Sequence, residues 1–361
     1  MKFSKEDTLF MKGLAILIMF FHHSFLGPDR WMNLPITFFP FEKEAVVYLA
    51  GFFKICVGMF VFLTGYGMMA SASKRIKTKL DMKKYLINRY TSLMSGFVFI
   101  FIAVQVLAIP TGYFQEIYGK GALSVCYFFI DAIGLSHLLG TPVFCPTWWY
   151  MSLATILIIV FPIFVKMLRE YDILVLFISF LLPFALKLPM TDFIRWMPCY
   201  FLGMYCAEYD VLAKIKNGYN NQKSGKKLML FALAAIGLLG IIKLRQHPFI
   251  GAKFINIWDC LAPAFVILIS YLFLVNFKGL KQLLVFFGKH SMNMFLIHTL
   301  FRGMFFQKFI YSFYYAWLDY AVLLAVSLVS SLLIELLKRI VRFDKVINKM
   351  KSRLYLKLGM N

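Results

Sequence analysis

The sequence predicts an all-α, polytopic membrane protein of about ten transmembrane helices, with both termini in the cytoplasm. Three observations lead there. Of the 361 residues, 61% are hydrophobic and 16% charged, with a mean hydropathy of +0.74, too few charges for the surface of a soluble globule. Several apolar runs exceed the roughly 18 residues that mark a membrane-spanning candidate. Lysine and arginine then fall unevenly on alternate connections, as the positive-inside rule requires of a multi-pass chain.

Ten spans fit, near 8–26, 46–71, 89–109, 147–168, 171–188, 193–209, 228–244, 256–276, 283–301 and 316–338. The first carries KGLAILIMFFHHSF. Its polar centre is unlike a signal peptide and no small-residue cleavage site follows, so it is expected to be retained. The fifth to seventh are short. Residues 120–140 are apolar too, but Asp131, His137 and three glycines make them a poor free-standing span. They are expected to form an interfacial or re-entrant element whose backbone is covered by protein. The division anticipated is one transmembrane domain over 1–340 and a basic cytoplasmic tail over 341–361.

Charge orients these spans. With the N-terminus inside, the inner segments hold 27 Lys or Arg, including seven in 74–89 and eight after Ile334. The outer segments hold 10, among them Arg30, Lys43, Arg195, Arg245 and Arg302. Both termini are therefore expected in the cytoplasm, in a multi-pass protein of the plasma or inner membrane. The net charge of +22 invites a nucleic-acid reading, but the basic residues are spread over inner loops and tail, where anionic lipid and orientation account for them. SKRIKTKLDMKKYLINRY and KRIVRFDKVINKMKSRLYLK read as amphipathic segments on the inner leaflet, with a further role in attracting a polyanionic cofactor.

The six cysteines form no CxxC and no spacing with histidine that suits a metal, so none is expected. GxGxxG, P-loop, HExxH and GxSxG are missing, which removes the usual support for nucleotide-hydrolysing, zinc-protease and serine-hydrolase readings.

The chemistry-bearing residues lie in the first span. Ionisable groups within a membrane are costly and survive where they work or pair. Lys12 and His23 are eleven residues apart, which on a helix returns to within about 20° of one face with a rise of about 16 Å. His22 falls about 80° away. An imidazole titrates near neutrality, so His23 is a candidate general base, or the nucleophile of an acyl-imidazole; the plainer alternative is a hydrogen bond bridging two helices. Lys12 could neutralise a carbonyl or a phosphate, or snorkel to the inner headgroups. His22 reads as an orienting neighbour. His298, in the ninth span with Ser291 and Asn293, reads first as an interhelical hydrogen-bonding residue. Trp31, Trp148 and Trp149 read first as aromatic-belt residues, with glycan stacking second. Lys54, Arg195, Glu208, Asp259 and Glu335 are candidates for buried pairs.

Several stretches resemble, in order, the acyltransferase-3 family of integral-membrane enzymes. Lys12-Gly13 leading to His22-His23 resembles its opening helix. CVGMFVFLTGYGM resembles its Phe-x-Leu-Ser-Gly-Tyr segment, with Thr64 in the serine place. KKYLINRYTSLM resembles its basic run, with Arg89 as the first arginine and Ser92 where a second is often found. TPVFCPTWWYMSLATILIIVFPIF resembles its tryptophan-rich span, with Trp148, Trp149 and Pro162. CYFLGMYCAEY and FFGKHSMNMFLIHTL resemble two later segments, the second through Gly288, Ser291 and His298. The glutamate that many members carry after the tryptophans is missing, and Lys12 replaces the usual arginine.

The resemblance implies an acyltransferase that takes an acyl group, acetyl from acetyl-CoA foremost, and places it on a hydroxyl of a cell-envelope glycan or glycolipid. It implies His23 as the general base and Lys12 and Arg89 as contacts to the acyl-CoA. A transporter or flippase for a lipid-linked saccharide is the alternative, and it would show broken helices at matching places in two halves. A non-catalytic membrane anchor would leave Lys12 and His23 without a job.

Overall fold

A computed structural model describes residues 2–360, apart from the side chains of Lys74 and Arg75, so the first two members of the basic 74–89 run lie outside that description. Among the described residues the secondary structure is helical, and the β contact is one isolated bridge between Thr37 and Tyr315. In chain order the helices are α1 (Lys5–Phe25), α2 (Lys43–Phe52), α3 (Ile55–Arg75), α4 (Lys79–Ala108), α5 (Tyr113–Tyr118) and α6 (Ala122–Ala132). Then come α7 (Ser136–Leu139), α8 (Trp149–Tyr171), α9 (Leu174–Ala185), α10 (Asp192–Glu208), α11 (Val211–Asn220) and α12 (Ser224–Arg245). The last six are α13 (Ile250–Lys253), α14 (Ile255–Ile269), α15 (Lys278–Thr299), α16 (Gln307–Ile310), α17 (Ala316–Ile340) and α18 (Phe343–Lys357). Two of them continue as π-helical turns, α14 through Ser270–Leu274 and α15 through Leu300–Phe305.

Each of the ten predicted segments is occupied by helix, and the protein is an all-α polytopic membrane protein. Seven helical stretches are long and apolar enough to cross a bilayer, and α9, α10 and α15 supply the other three predicted positions. None of the apolar window of α12 is buried inside the protein, so its Leu228, Leu233, Ile236 and Leu239 present a lipid-facing surface. The second span, expected near 46–71, is met by the apolar stretch Lys43–Ser73, within which the helix passes through a turn at Phe53 and Lys54 between α2 and α3.

Helix starts follow capping chemistry. Ser4 Oγ accepts from the Asp7 N–H at 3.1 Å while the Asp7 carboxylate accepts from the Ser4 N–H at 2.8 Å, a reciprocal box opening α1. Thr78 and Asp81 repeat it at α4. Both put a carboxylate at the positive end of the helix dipole.

The chain divides into two compact units. The first comprises Met1–Lys74, Ile163–Ser291 and Tyr311–Ala321. Its helices cross on glycines. A Cβ added at Gly13 would collide with the Leu284 carbonyl, and one at Gly288 with the Leu9 carbonyl, so α1 and α15 touch backbone to backbone. Gly65 of α3 and Gly203 of α10 are related in the same way through the carbonyls of Tyr200 and Phe62. Tyr311 and Tyr320 then donate to the Ser24 and Leu17 carbonyls at 2.9 and 3.1 Å, fixing the C-terminal half of α1.

The second unit comprises Arg75–Pro162, Met292–Ile310 and Val322–Asn361. Its core gathers Phe97, Phe101, Phe144, Trp148 and Leu296. Residues 120–140 form α6 and α7. Asp131 accepts from the Tyr118 hydroxyl at 2.6 Å and the Phe144 N–H at 2.8 Å, while Tyr90 and Ser152 donate to the Ile133 and Gly134 carbonyls. Backbone groups that lipid could not satisfy are thereby satisfied by protein. The basic C-terminal segment forms α18, with Phe343 against Phe99 and the Tyr355 hydroxyl on the Lys84 carbonyl at 3.3 Å.

Candidate active site

The turn between α2 and α3 shapes the site in the first unit. Where a helix stops, the carbonyls of its last turn lose their intrahelical partners. The Ala50 carbonyl is taken by His22 Nδ1 at 2.7 Å, and the Gly51 carbonyl by Arg245 Nη1 at 3.2 Å. A carbonyl only accepts, so the His22 proton sits on Nδ1 and its role is set as a buried pin between α1 and α2. The His23 ring lies 5.1 Å from the His22 ring, and His23 itself is half-buried. Arg30, from the loop after α1, donates to the His23 carbonyl. Helix α1 is unbroken from Lys5 to Phe25, so Lys12 and His23 keep their common stripe, about 16 Å apart along the axis.

Cations gather around this end of α1. Asp259 is fully buried and is shared by two guanidiniums: Arg245 reaches Oδ1 through Nε at 2.9 Å and Nη2 at 2.7 Å, and Arg195 holds Oδ2. Two positive charges against one negative leave a surplus. Arg30, Lys54 and Arg245 all lie within electrostatic reach of His22, and Lys54 makes no ion pair among the described residues. In a low-dielectric setting this surplus favours an anionic ligand or a developing oxyanion. Arg195 and Asp259 were anticipated as members of buried pairs. Arg245, counted from the sequence as an outer-loop charge, is buried and completes the triad. The available signal was Asp259 itself, an acid in an apolar span that demands a counterion.

The other anticipated pairs lie elsewhere. Glu208 meets Arg169 at 3.1 Å and the Ser73 hydroxyl at 3.0 Å, in a more exposed setting. Glu335 accepts from Asn293 at 2.8 Å and Lys338 at 3.0 Å.

The second unit holds the remaining candidates. Arg89 Nε donates to the Tyr85 hydroxyl one turn back at 2.9 Å, its guanidinium over that ring. Trp149 is half-buried at the start of α8, its ring 6.0 Å from His137. His298 is wholly buried. Its Nδ1 donates to the Phe295 carbonyl at 2.7 Å, leaving Nε2 to accept from the Thr299 hydroxyl at 3.1 Å, which in turn accepts from Thr147 at 3.2 Å. The interhelical tie expected of His298 runs through that threonine. The aromatic-belt reading is corrected for two of three tryptophans. Trp31 is 3% and Trp148 1% exposed, and the Trp148 Nε1–H donates to the Leu296 carbonyl at 2.9 Å. A belt residue must face the headgroups, and these indoles face protein.

Helix-rich, membrane-spanning, and with histidines and surplus positive charge inside the spans, the chain is an integral-membrane enzyme scaffold. Residues 10–336 match the family model described as an acyltransferase domain, and the chain belongs to that family, the acyltransferase-3 membrane O-acyltransferases. No curated protein and no solved structure matches it.

Proposed function

We propose that this membrane acyltransferase takes an acetyl group from acetyl-CoA and transfers it to a hydroxyl of a cell-envelope glycan or glycolipid at the plasma or inner membrane, with His23 as general base. The observation that carries the reading is the end of α1, where His22 is pinned to Ala50 and His23 stands beside it amid surplus positive charge. In the step proposed, the His23 imidazole takes the acceptor hydroxyl proton as that oxygen attacks the thioester carbonyl. The C–S bond breaks, and the proton passes to the departing thiolate, giving an ester and free coenzyme A. Carbonyl charge develops next to Lys54 and the Arg195–Asp259–Arg245 triad, whose field opposes its cost. Lys12, on the His23 stripe, and Arg89, in the basic run, are the proposed contacts to the anionic donor.

The turn at Phe53–Lys54 is also a feature that a transporter uses, but here the Ala50 carbonyl is bound by His22, and Arg245 adds to the backbone partners of the Gly51 carbonyl. Purified protein in nanodiscs, given labelled acetyl-CoA and a panel of envelope glycans and lipid-linked saccharides, tests the reading. Labelled ester on an acceptor supports it. Movement of a lipid-linked saccharide across the bilayer without acylation would overturn it.

A further inference from the structure

We propose that Arg302 forms a phosphate-binding site in the second unit, beside the Cys145–Trp148 turn. Arg302 lies on the π-helical turn Leu300–Phe305 that ends α15, and such turns recur at functional sites. Phe301, Met304 and Phe305 of the turn are half-buried and Gly303 is exposed, whereas Arg302, like Leu300, is buried, only 8% of it exposed. Its Nε is buried without a hydrogen-bond partner, and no carboxylate pairs with it among the described residues.

Other buried cations of the chain behave differently. Arg245 is paired with Asp259, which it shares with half-buried Arg195. Lys216 donates to the Tyr271 carbonyl at 2.9 Å within the other π-helical turn, Ser270–Leu274. Arg302 has no such arrangement. Asp131, whose field also reaches Cys145, is engaged by Tyr118 and Phe144. A largely buried guanidinium without a counterion is disfavoured, so an anion from outside the chain is the natural complement.

The surroundings are polar. Arg302 acts electrostatically on the Cys145 thiol, and Cys145, Thr147, Thr299 and His298 form a hydrogen-bonded chain alongside, through contacts of 3.3, 3.2 and 3.1 Å. The hydroxyls in that chain can turn to donate to an oxyanion. The two Nη nitrogens, which are not closed off as Nε is, present the planar pair of donors that grips two oxygens of one phosphate. Gly303, next to it in the chain, is exposed, which leaves an approach for a soluble phosphate or a lipid headgroup on that side. The inference stands apart from acyl transfer.

Thermal unfolding of the full-length protein in a neutral detergent tests it, with inorganic phosphate against chloride at matched ionic strength. The wild-type midpoint should rise in phosphate. Arg302→Met should melt alike in both salts, and in chloride no lower than wild type, because an uncompensated charge has gone. Arg302→Lys keeps the charge and loses the fork, and phosphate affinity should fall about tenfold or more. Repeating the series in phosphatidylcholine nanodiscs with and without phosphatidylglycerol separates the sources. A response abolished by phosphatidylglycerol assigns the site to a headgroup, and one that persists assigns it to soluble phosphate. A wild-type midpoint equal in phosphate and chloride, or an equal phosphate response in Arg302→Met, would overturn the proposal.

Discussion

His22 and His23 are neighbours in sequence with different surroundings, and their substitutions should separate. His22 spends its Nδ1 proton on the Ala50 carbonyl, so His22→Ala should cost about 1 kcal/mol of stability and leave measurable transfer. His23→Ala should fold normally and lose about 10² to 10⁴-fold in transfer rate, as removal of a general base does. Near-normal transfer by folded His23→Ala would refute its proposed role. The Asp259 triad answers a different question. Asp259→Asn leaves buried Arg245 and half-buried Arg195 facing each other without a counterion and should destabilise the protein by about 3–5 kcal/mol in thermal or denaturant unfolding. Adding Arg245→Met to Asp259→Asn should recover part of that loss, since the two residues are directly coupled.

At the scale of elements, the motif glycines act as contact points between helices. Gly65 and Gly67 make a sharp comparison, being two residues apart on α3. A Cβ at Gly65 would collide with the Tyr200 carbonyl, whereas one at Gly67 meets nothing within 4 Å. Gly65→Ala should therefore cost about 1–3 kcal/mol through overpacking. Gly67→Ala should be neutral or stabilising by about 0.5–1 kcal/mol, because glycine inside a helix carries an entropic cost. Melting temperatures of the two variants check this, and equal effects would show that the α3–α10 crossing is not what fixes Gly65. The turn inside the second span is not legible in the sequence. Hydropathy over 46–71 is continuous apart from Lys54, and periodicity does not register two residues leaving a helix.

For the whole molecule, the excess of 27 inner over 10 outer cations predicts that both termini and the loop 74–88 face the cytoplasm, with 27–45 and 110–146 outside. Single-cysteine labelling in a cysteine-free background tests this, and outside-only labelling within 74–88 would reverse it. On the same orientation, if the donor is the acyl-CoA proposed above, the basic inner face would attract it, and Arg89→Ala should weaken acyl-CoA binding more than acceptor binding. Calorimetry with a folded variant checks that, and unchanged affinity would leave Arg89 as an interfacial anchor beside Tyr85.

Taken alone, the sequence determined the membrane, the all-helical class, the positions of ten helical segments and the Lys12–His23 stripe. Those properties are local: hydropathy over about 18 residues and a fixed turn of about 100° per residue need no partner to be read. Tertiary structure decided what depends on distant residues meeting. It joined Arg195, Asp259 and Arg245 from three helices, put His22 and Arg245 on carbonyls at the end of α2, and buried Trp31 and Trp148, which by position alone belonged at the membrane surface. It also turned Arg302 inward from a segment that charge counting placed outside. A charge in an apolar run shows that a partner is needed, but which partner supplies it is settled only when helices far apart in the chain come into contact.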